Sequence, residues 1–409
     1  MYLEITGALK LASAKKPKPG KNRIINNGSR CFTILIISTN VCSFVAVMPI
    51  KKIHISAFLE KALLYPVLDV RSPGEFVHAH IPGALSLPLF TDEERKIVGT
   101  AYKQQGRQQA IKLGLNFFGV NMKCIVETVE NLTAGKLKSD STPETKKGVL
   151  QNLGTVLVHC WRGGMRSAGV AWLLDLYGYD VYTLAGGYKA YRNWVLQQFD
   201  KEYNCKIIGG FTGSGKTEML QELQKQNLPV VDLEDLAKHK GSAFGGLGQS
   251  PQPTQEMFEN ILAIELNKLQ HSNFYIEDES QRIGVLNIPP GFWKTMRSKP
   301  VYFIQIPFEA RLDFITNAYG SHEKEKLVNA IIRIQKRLGP METKIAIGFL
   351  LENNYKECFK ILLCYYDKYY LKGLNSRENI EDLLNKIECS AVDILSNTQK
   401  IISCDIVSV

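Results

Sequence analysis

From about residue 50 onward, short β-branched and apolar runs alternate with stretches whose apolar positions recur every three or four residues. Val67-Leu68-Asp69-Val70 reads as a brief buried strand ending at Arg71-Ser72-Pro73-Gly74, a turn by composition. Thr155–His159 predicts a second strand and Asp180–Leu184 a third, while residues 167–177 between them carry helical spacing and stop at Gly178. Strand, helix, strand is the βαβ unit of a parallel sheet. The succession resumes at Cys205-Lys206-Ile207-Ile208-Gly209, a strand followed, across a glycine-rich turn, by an amphipathic helix over 218–226. Phe274-Tyr275-Ile276 is a further strand, running into three acids. Lys324–Leu338 predicts an amphipathic helix with Leu327, Ile331, Ile334 and Leu338 on one stripe and Lys326, Arg333 and Arg337 on another, stopped by Gly339-Pro340. Beyond about 345 the pattern is helical, with a cluster of Tyr365, Tyr366, Tyr369 and Tyr370 that reads as core packing rather than base stacking. The class is therefore α/β: a parallel-sheet domain over 48–200, a second α/β domain over 201–345, and a helical C-terminal extension over 346–409.

Residues 1–47 break this pattern. They hold seven Lys and Arg against one acid, then an apolar run from Cys31 to Val47. That is the outline of a signal peptide or anchor, yet Ser38, Thr39, Asn40 and Ser43 interrupt the run and leave it short of a membrane span. The expectation is that this extension is not part of the fold. Met48 opens the domain, and the preceding residues are a translated upstream region or a targeting segment. Composition changes the picture little. At 409 residues, 45% hydrophobic and 22% charged, the chain is an ordinary folded protein and not a disordered one. Its formal charge of +10 favours an anionic partner. Residues 1–47 supply +6 of it, however, leaving +4 for residues 48–409. Nine cysteines without a C-x-x-C pair argue against a disulfide scaffold or zinc ribbon and for a reducing, cytoplasmic home.

The second strand ends in His159-Cys160-Trp161-Arg162-Gly163-Gly164-Met165-Arg166-Ser167. A cysteine at a strand terminus, followed by a glycine-bearing loop and a helix, sits above backbone N–H groups. Those amides, the helix N-terminus and the guanidinium groups of Arg162 and Arg166 favour a thiolate or persulfide at Cys160. The string fits two chemistries, attack on phosphorus by a cysteine phosphatase or carriage of a chalcogen. Cys124, Cys205, Cys358, Cys364, Cys389 and Cys404 read as buried structural residues.

The other chemical centre is Gly210-Phe211-Thr212-Gly213-Ser214-Gly215-Lys216-Thr217, a G-x-x-x-x-G-K-T between strand and helix. Gly210, Gly213, Ser214 and Gly215 let amides close around a phosphate, Lys216 neutralises it, and Thr217 offers a Mg²⁺ ligand. Glu277, Asp278 or Glu279, at the end of a later strand, would assist that ion; one sequence does not say which. No resident metal site or permanent cofactor is expected. Lys240, Arg333, Lys336 and Arg337 are candidate contacts to tRNA or phosphate, while His239 reads as a hydrogen-bonding loop residue without a chemical role.

The flanking text narrows the choice. Leu68-Asp69-Val70-Arg71-Ser72-Pro73-Gly74-Glu75-Phe76, His80-Ile81-Pro82-Gly83-Ala84 and Ala185-Gly186-Gly187-Tyr188 resemble the signature of rhodanese domains. Residues 48 to about 375 as a whole resemble the tRNA 2-selenouridine synthase family, a rhodanese-like domain fused to a P-loop NTPase-like domain. The likeness is carried in order by Asp92-Glu93-Glu94-Arg95, the Cys160 loop, Gly186-Gly187-Tyr188-Lys189-Ala190, the phosphate loop, Gly241-Ser242-Ala243-Phe244-Gly245, Glu277-Asp278-Glu279-Ser280 and Lys336-Arg337-Leu338-Gly339. The family pattern has Arg where Lys240 stands, and residues 1–47 have no counterpart in it. The resemblance implies conversion of 2-thiouridine to 2-selenouridine at wobble position 34 of tRNA with selenophosphate. The implied route runs through S-geranyl-2-thiouridine made from geranyl diphosphate, with no stable membrane association. The alternatives are a sulfurtransferase or cysteine-dependent phosphatase fused to a nucleotide-binding domain, or a non-catalytic P-loop scaffold.

Overall fold

A computed structural model describes residues 50–134, 153–320 and 322–407. The extension expected over residues 1–47 lies outside the described residues.

The first sheet is built from β1 (Lys51–Ile53), β2 (Val67–Asp69), β3 (Leu85–Ser86), β4 (Thr155–His159) and β5 (Asp180–Leu184). Its order is β1-β5-β4-β2-β3, and every pairing is parallel. The middle strand β4 is buried almost throughout because helices cover both faces, which is why it reads as a continuous apolar run. The helix Met165–Tyr177 buries Val170, Ala171, Leu173 and Leu174 and ends at Gly178, whose φ of 116° a side chain would resist. It starts two residues earlier than the spacing predicts, so Arg166 lies in its first turn. The predicted turn at 71–74 is also partly helical: Pro73 opens the helix Pro73–His78, with Ser72 and Glu75 forming its capping box.

The second sheet contains β6 (Asn204–Gly210), β7 (Val230–Val231), β8 (Asn273–Glu277), β11 (Val301–Gln305) and β12 (Leu384–Glu388). A separate antiparallel hairpin pairs β9 (Arg282–Ile283) with β10 (Leu286–Asn287). The sheet order is β12-β11-β6-β8-β7, again all parallel. The C-terminal segment is mostly helical, but it also returns β12 to the edge of this sheet, where Ile387 is buried. Pro340 does not only end the helix Lys324–Leu338; it occupies the first turn of the next one, Pro340–Leu351.

A single apolar cluster runs from the first sheet to the second, through Phe58, Leu157, Tyr188, Phe258, Phe274 and Phe292. The helix Gly187–Gln198, which leaves the first sheet, packs on Gln255–Lys268, which belongs to the second. Both reactive centres sit at carboxyl ends of parallel strands, where loops converge and amides point outward.

Candidate active site

Cys160 follows β4 directly and is 3% exposed. Its Sγ lies 3.2 Å from the Ser167 hydroxyl. Burial alone would push the thiol up. The Ser167 hydroxyl and amide, the Arg166 charge and the Gly164 amide outweigh it and draw the thiol below its ordinary value. Arg166 is held in turn by Glu75, 2.7 Å away, and Arg95 approaches the same carboxylate oxygen at 3.7 Å. The expected contribution of Arg162 is not met: Arg162 is exposed, as are Trp161 and Met165, and Arg166 is the guanidinium acting on the sulfur. The loop faces solvent with these three side chains and turns its amides inward.

Beneath the loop lies a buried charged floor. Arg71 pairs with Asp69 at 2.6 Å, donates to the Ala79 carbonyl at 2.7 Å, and stacks 3.7 Å from the Tyr188 ring centre. His159 is fully buried beside Asp69, and burial pushes it down to about 4, so it is neutral near pH 7. The Tyr188 amide donates to the Cys160 carbonyl at 2.8 Å. The Cys160 loop is thereby tied to the glycine pair that precedes Tyr188.

The phosphate loop follows β6. Lys216 donates to the Gly210 carbonyl at 2.9 Å, and the Thr217 hydroxyl donates to Glu234 at 2.8 Å. The Ser214 hydroxyl is buried with no hydrogen-bond partner among the described residues. Glu234, Glu277 and Glu279 converge here, each offering an oxygen within 4.8 Å of the others. Burial raises the Glu277 carboxyl well above its usual range and pushes Glu279 up to about 8, with Glu234 adding like-charge repulsion to both. Both Glu277 oxygens are buried and have no hydrogen-bond partner among the described residues.

Asp278 stands outside this cluster, although it too borders the cavity above the loop. It accepts from the Tyr370 hydroxyl at 2.7 Å and pairs with Arg377. Strand alternation sorts the three acids of the sequence reading: Glu277 and Glu279 line the site, and Asp278 anchors the helix Tyr355–Leu374 to it. Glu234 was missed, although its signal is of the same kind. Val230-Val231 is a short apolar strand running into Asp232-Leu233-Glu234-Asp235, a second acid-ended strand beside the first.

A cavity of about 1300 Å³ opens over the loop. Lys240, Arg333 and Arg337 line it, and Lys336 does not. Tyr365, Tyr366, Tyr369 and Tyr370 line it as well. Tyr365, Tyr366 and Tyr370 also pack against buried apolar clusters, so the core-packing reading holds for these three and is extended by the cavity. Tyr370 also accepts from the Gly210 amide at 3.0 Å. The side of the helix that they occupy lies between buried apolar packing and the cavity, so these rings are both core and wall. His239 lines the same cavity, and its buried Nδ1 has no partner among the described residues, against the hydrogen-bonding role expected of it. Among the other cysteines, Cys205, Cys358 and Cys389 are buried as expected, whereas Cys124 and Cys364 are exposed and Cys404 is partly so.

Two family models match this geometry in the same order. A rhodanese-like domain matches residues 56–193, and the tRNA 2-selenouridine synthase AAA domain matches residues 203–397. The chain is 34% identical over 337 residues to the tRNA 2-selenouridine synthase of Nitrosomonas eutropha, covering 78% of this chain and 79% of that protein. It is 33% identical to the Nitrosomonas europaea protein of the same name over 72% of this chain and 73% of that one. The Bdellovibrio bacteriovorus synthase is 34% identical over 76% of this chain and 89% of its own length. The chain belongs to the tRNA 2-selenouridine synthase family. As a family member it is an enzyme with the rhodanese-like and AAA parts in one α/β chain, and the AAA match ends inside the C-terminal helix Ile394–Val407. No helix among the described residues is long and apolar enough to cross a membrane.

Proposed function

We propose that this protein is a cytoplasmic tRNA-modifying transferase that converts 2-thiouridine at position 34 to 2-selenouridine in two steps, one at each centre. In the first, the thiouridine sulfur attacks C1 of geranyl diphosphate. A C–S bond forms, the C1–O bond breaks, diphosphate leaves, and the base gives up its N3 proton. In the second, selenium from selenophosphate attacks C2 of the base. The C2–Se bond forms, the C2–S bond breaks, geranylthiol departs with a proton, and water cleaves the Se–P bond to release phosphate. Alkylation turns a poor leaving sulfur into a better one, which gives one chain a use for both centres.

The observation that carries this reading is that one chain holds both a cysteine whose thiol is drawn below its ordinary value and a phosphate loop opening into a large cavity. The Cys160 loop, with Gly163, Gly164, Arg166 and Ser167 around the sulfur, suits selenophosphate. The loop Gly210–Thr217, with Lys216, suits a diphosphate and requires no nucleotide hydrolysis.

The residues also fit a hard divalent cation. Three clustered carboxylates, of which Glu277 has neither oxygen partnered among the described residues, form an oxygen donor set beside the Thr217 hydroxyl. Glu234, Glu277, Glu279 and Thr217 would hold Mg²⁺, and the ion would supply charge neutralisation to a bound diphosphate. No permanent cofactor is called for.

The test is incubation with tRNA bearing 2-thiouridine, geranyl diphosphate and selenophosphate, followed by digestion and mass measurement of the nucleosides. Geranylated and then selenated uridine are expected. Unchanged 2-thiouridine would refute the reading, and hydrolysis of a small phosphate ester instead would favour the phosphatase alternative.

A further inference from the structure

A diphosphate needs the amide cradle and Lys216. The cavity over the phosphate loop holds more positive charge than that. Lys240, Arg282, Arg333 and Arg337 all line it, and none has a carboxylate within ion-pair distance among the described residues. Lys240, Arg282, Arg333 and Arg337 are exposed. Unpaired cations occur elsewhere on the described surface, Lys336 among them; what distinguishes these four is that they gather around one opening. Leaving several cations unpaired around one opening costs like-charge repulsion, which a polyanionic partner relieves.

Aromatic rings stand beside these cations. Arg333 and Arg337 lie one turn apart on the helix Lys324–Leu338, and Arg337 lies beside the Tyr365 hydroxyl. Tyr365 and Tyr369, one turn apart on Tyr355–Leu374, hold their ring centres 4.7 Å from each other, with Tyr369 39% exposed. Exposed ring faces next to unpaired guanidinium groups are what an unstacked nucleobase and its phosphates require.

We infer that the cavity mouth formed by Lys240, Arg333 and Arg337 with the Tyr365–Tyr369 pair is the docking surface for the single-stranded anticodon loop of tRNA, the tyrosines stacking a base and the cations holding its phosphates. The inference rests on the proposed function and deepens it, because it places the RNA over the phosphate loop and not at the Cys160 loop. Lys336, next to Arg337 but off the cavity, takes no part.

The test is equilibrium binding of a fluorescent anticodon stem-loop RNA to the full chain at several salt concentrations. Arg333→Glu/Arg337→Glu should weaken binding by about tenfold or more and flatten the plot of log affinity against log salt by about 1.4, roughly 0.7 for each lost phosphate contact. Tyr369→Ala should weaken binding about tenfold while Tyr369→Phe retains it, since the ring face and not the hydroxyl is used. Lys336→Glu, on the same helix, should change affinity far less than the double variant. All these side chains are exposed or line the void, so thermal melting should show folded variants. If wild type binds the stem-loop and the charge-reversed and Tyr369→Ala variants bind equally well, the docking surface is overturned while the proposed function stands. If Tyr369→Ala instead weakens geranyl diphosphate alone, the wall serves the apolar chain and the inference is wrong. If wild type binds no RNA, the proposed function itself fails.

Discussion

Glu277 and Glu279 sit in a place where two added charges cannot be carried without help. Glu279 titrates at about 8 against an ordinary value of 4.5, so the folded protein keeps a proton that the unfolded chain releases. Stability from this group is therefore full below about pH 4.5 and is lost as pH rises through about 8. A divalent cation should reverse that loss. In chelator, the melting temperature is expected to fall across this window. Added Mg²⁺ should raise it more at about pH 8.5 than at about pH 6, and Glu279→Gln should flatten both effects. A melting temperature indifferent to pH and to Mg²⁺ would show that the carboxylates hold no ion. At this scale the sequence was half readable. Lys216, Thr217 and Cys160 stand in motifs whose spacing states their chemistry. Glu234 and Tyr370 reach the site only through tertiary packing: Glu234 from a two-residue strand, Tyr370 from a helix about 160 residues away from the Gly210 amide it meets. Arg162 misled because Arg166, four positions on, is the one that the helix start turns inward.

The Cys160 loop depends on an element outside itself. Gly187 opens the helix after β5 with a φ of 60°, and a Cβ there would lie 2.3 Å from the Cys160 carbonyl oxygen and 2.4 Å from the Gly163 nitrogen. No flexible side chain can yield at that contact, because both neighbours are backbone. Gly187→Ala should therefore displace the loop, cost about 1–3 kcal/mol in urea unfolding, and abolish selenium transfer while geranylation survives. Normal selenation by that variant would contradict the tie between the glycine pair and the thiol. Elements buried on both faces were the most legible: β4 and β5 match their predicted limits to the residue, because parallel strands between helix layers are plain apolar runs. The edge strand β12 was not read as one. Leu384-Asn385-Lys386-Ile387-Glu388 buries only Ile387 and alternates like a surface helix turn or a loop. Its partner β11 decides its conformation, and a local pattern does not contain that partner.

Across the whole molecule, the two centres are fixed to each other by a polar junction whose centre, Asn260 against Tyr188, is buried. The Tyr188 hydroxyl donates to Glu256 at 2.8 Å, and Asn260 donates to Tyr188 and to the His80 carbonyl, each at 2.8 Å. Arg192 pairs with Glu259 at 2.5 Å, and the Thr254 hydroxyl donates to the His78 carbonyl at 2.5 Å. Tyr188 thus touches the Cys160 loop through its amide and the second sheet's helix through its hydroxyl. Division into two α/β parts was legible from motif order, but this junction was not, since its residues are unremarkable in type and spacing. Bulk charge was a poor guide for the opposite reason. Most of the +10 lies in residues 1–47, whereas the cations that matter here are a few unpaired side chains around one cavity.

The central claim is a division of labour between the two centres, and single substitutions in each, followed by nucleoside mass measurement on 2-thiouridine tRNA with geranyl diphosphate and selenophosphate, test it most directly. Cys160→Ala should accumulate S-geranyl-2-thiouridine with no 2-selenouridine. Lys216→Ala should slow geranylation by about a hundredfold or more, from loss of a charge-assisted phosphate contact, yet still selenate tRNA supplied already geranylated. Loss of geranylation in folded Cys160→Ala, or failure of Lys216→Ala to selenate the geranylated tRNA, would contradict the account.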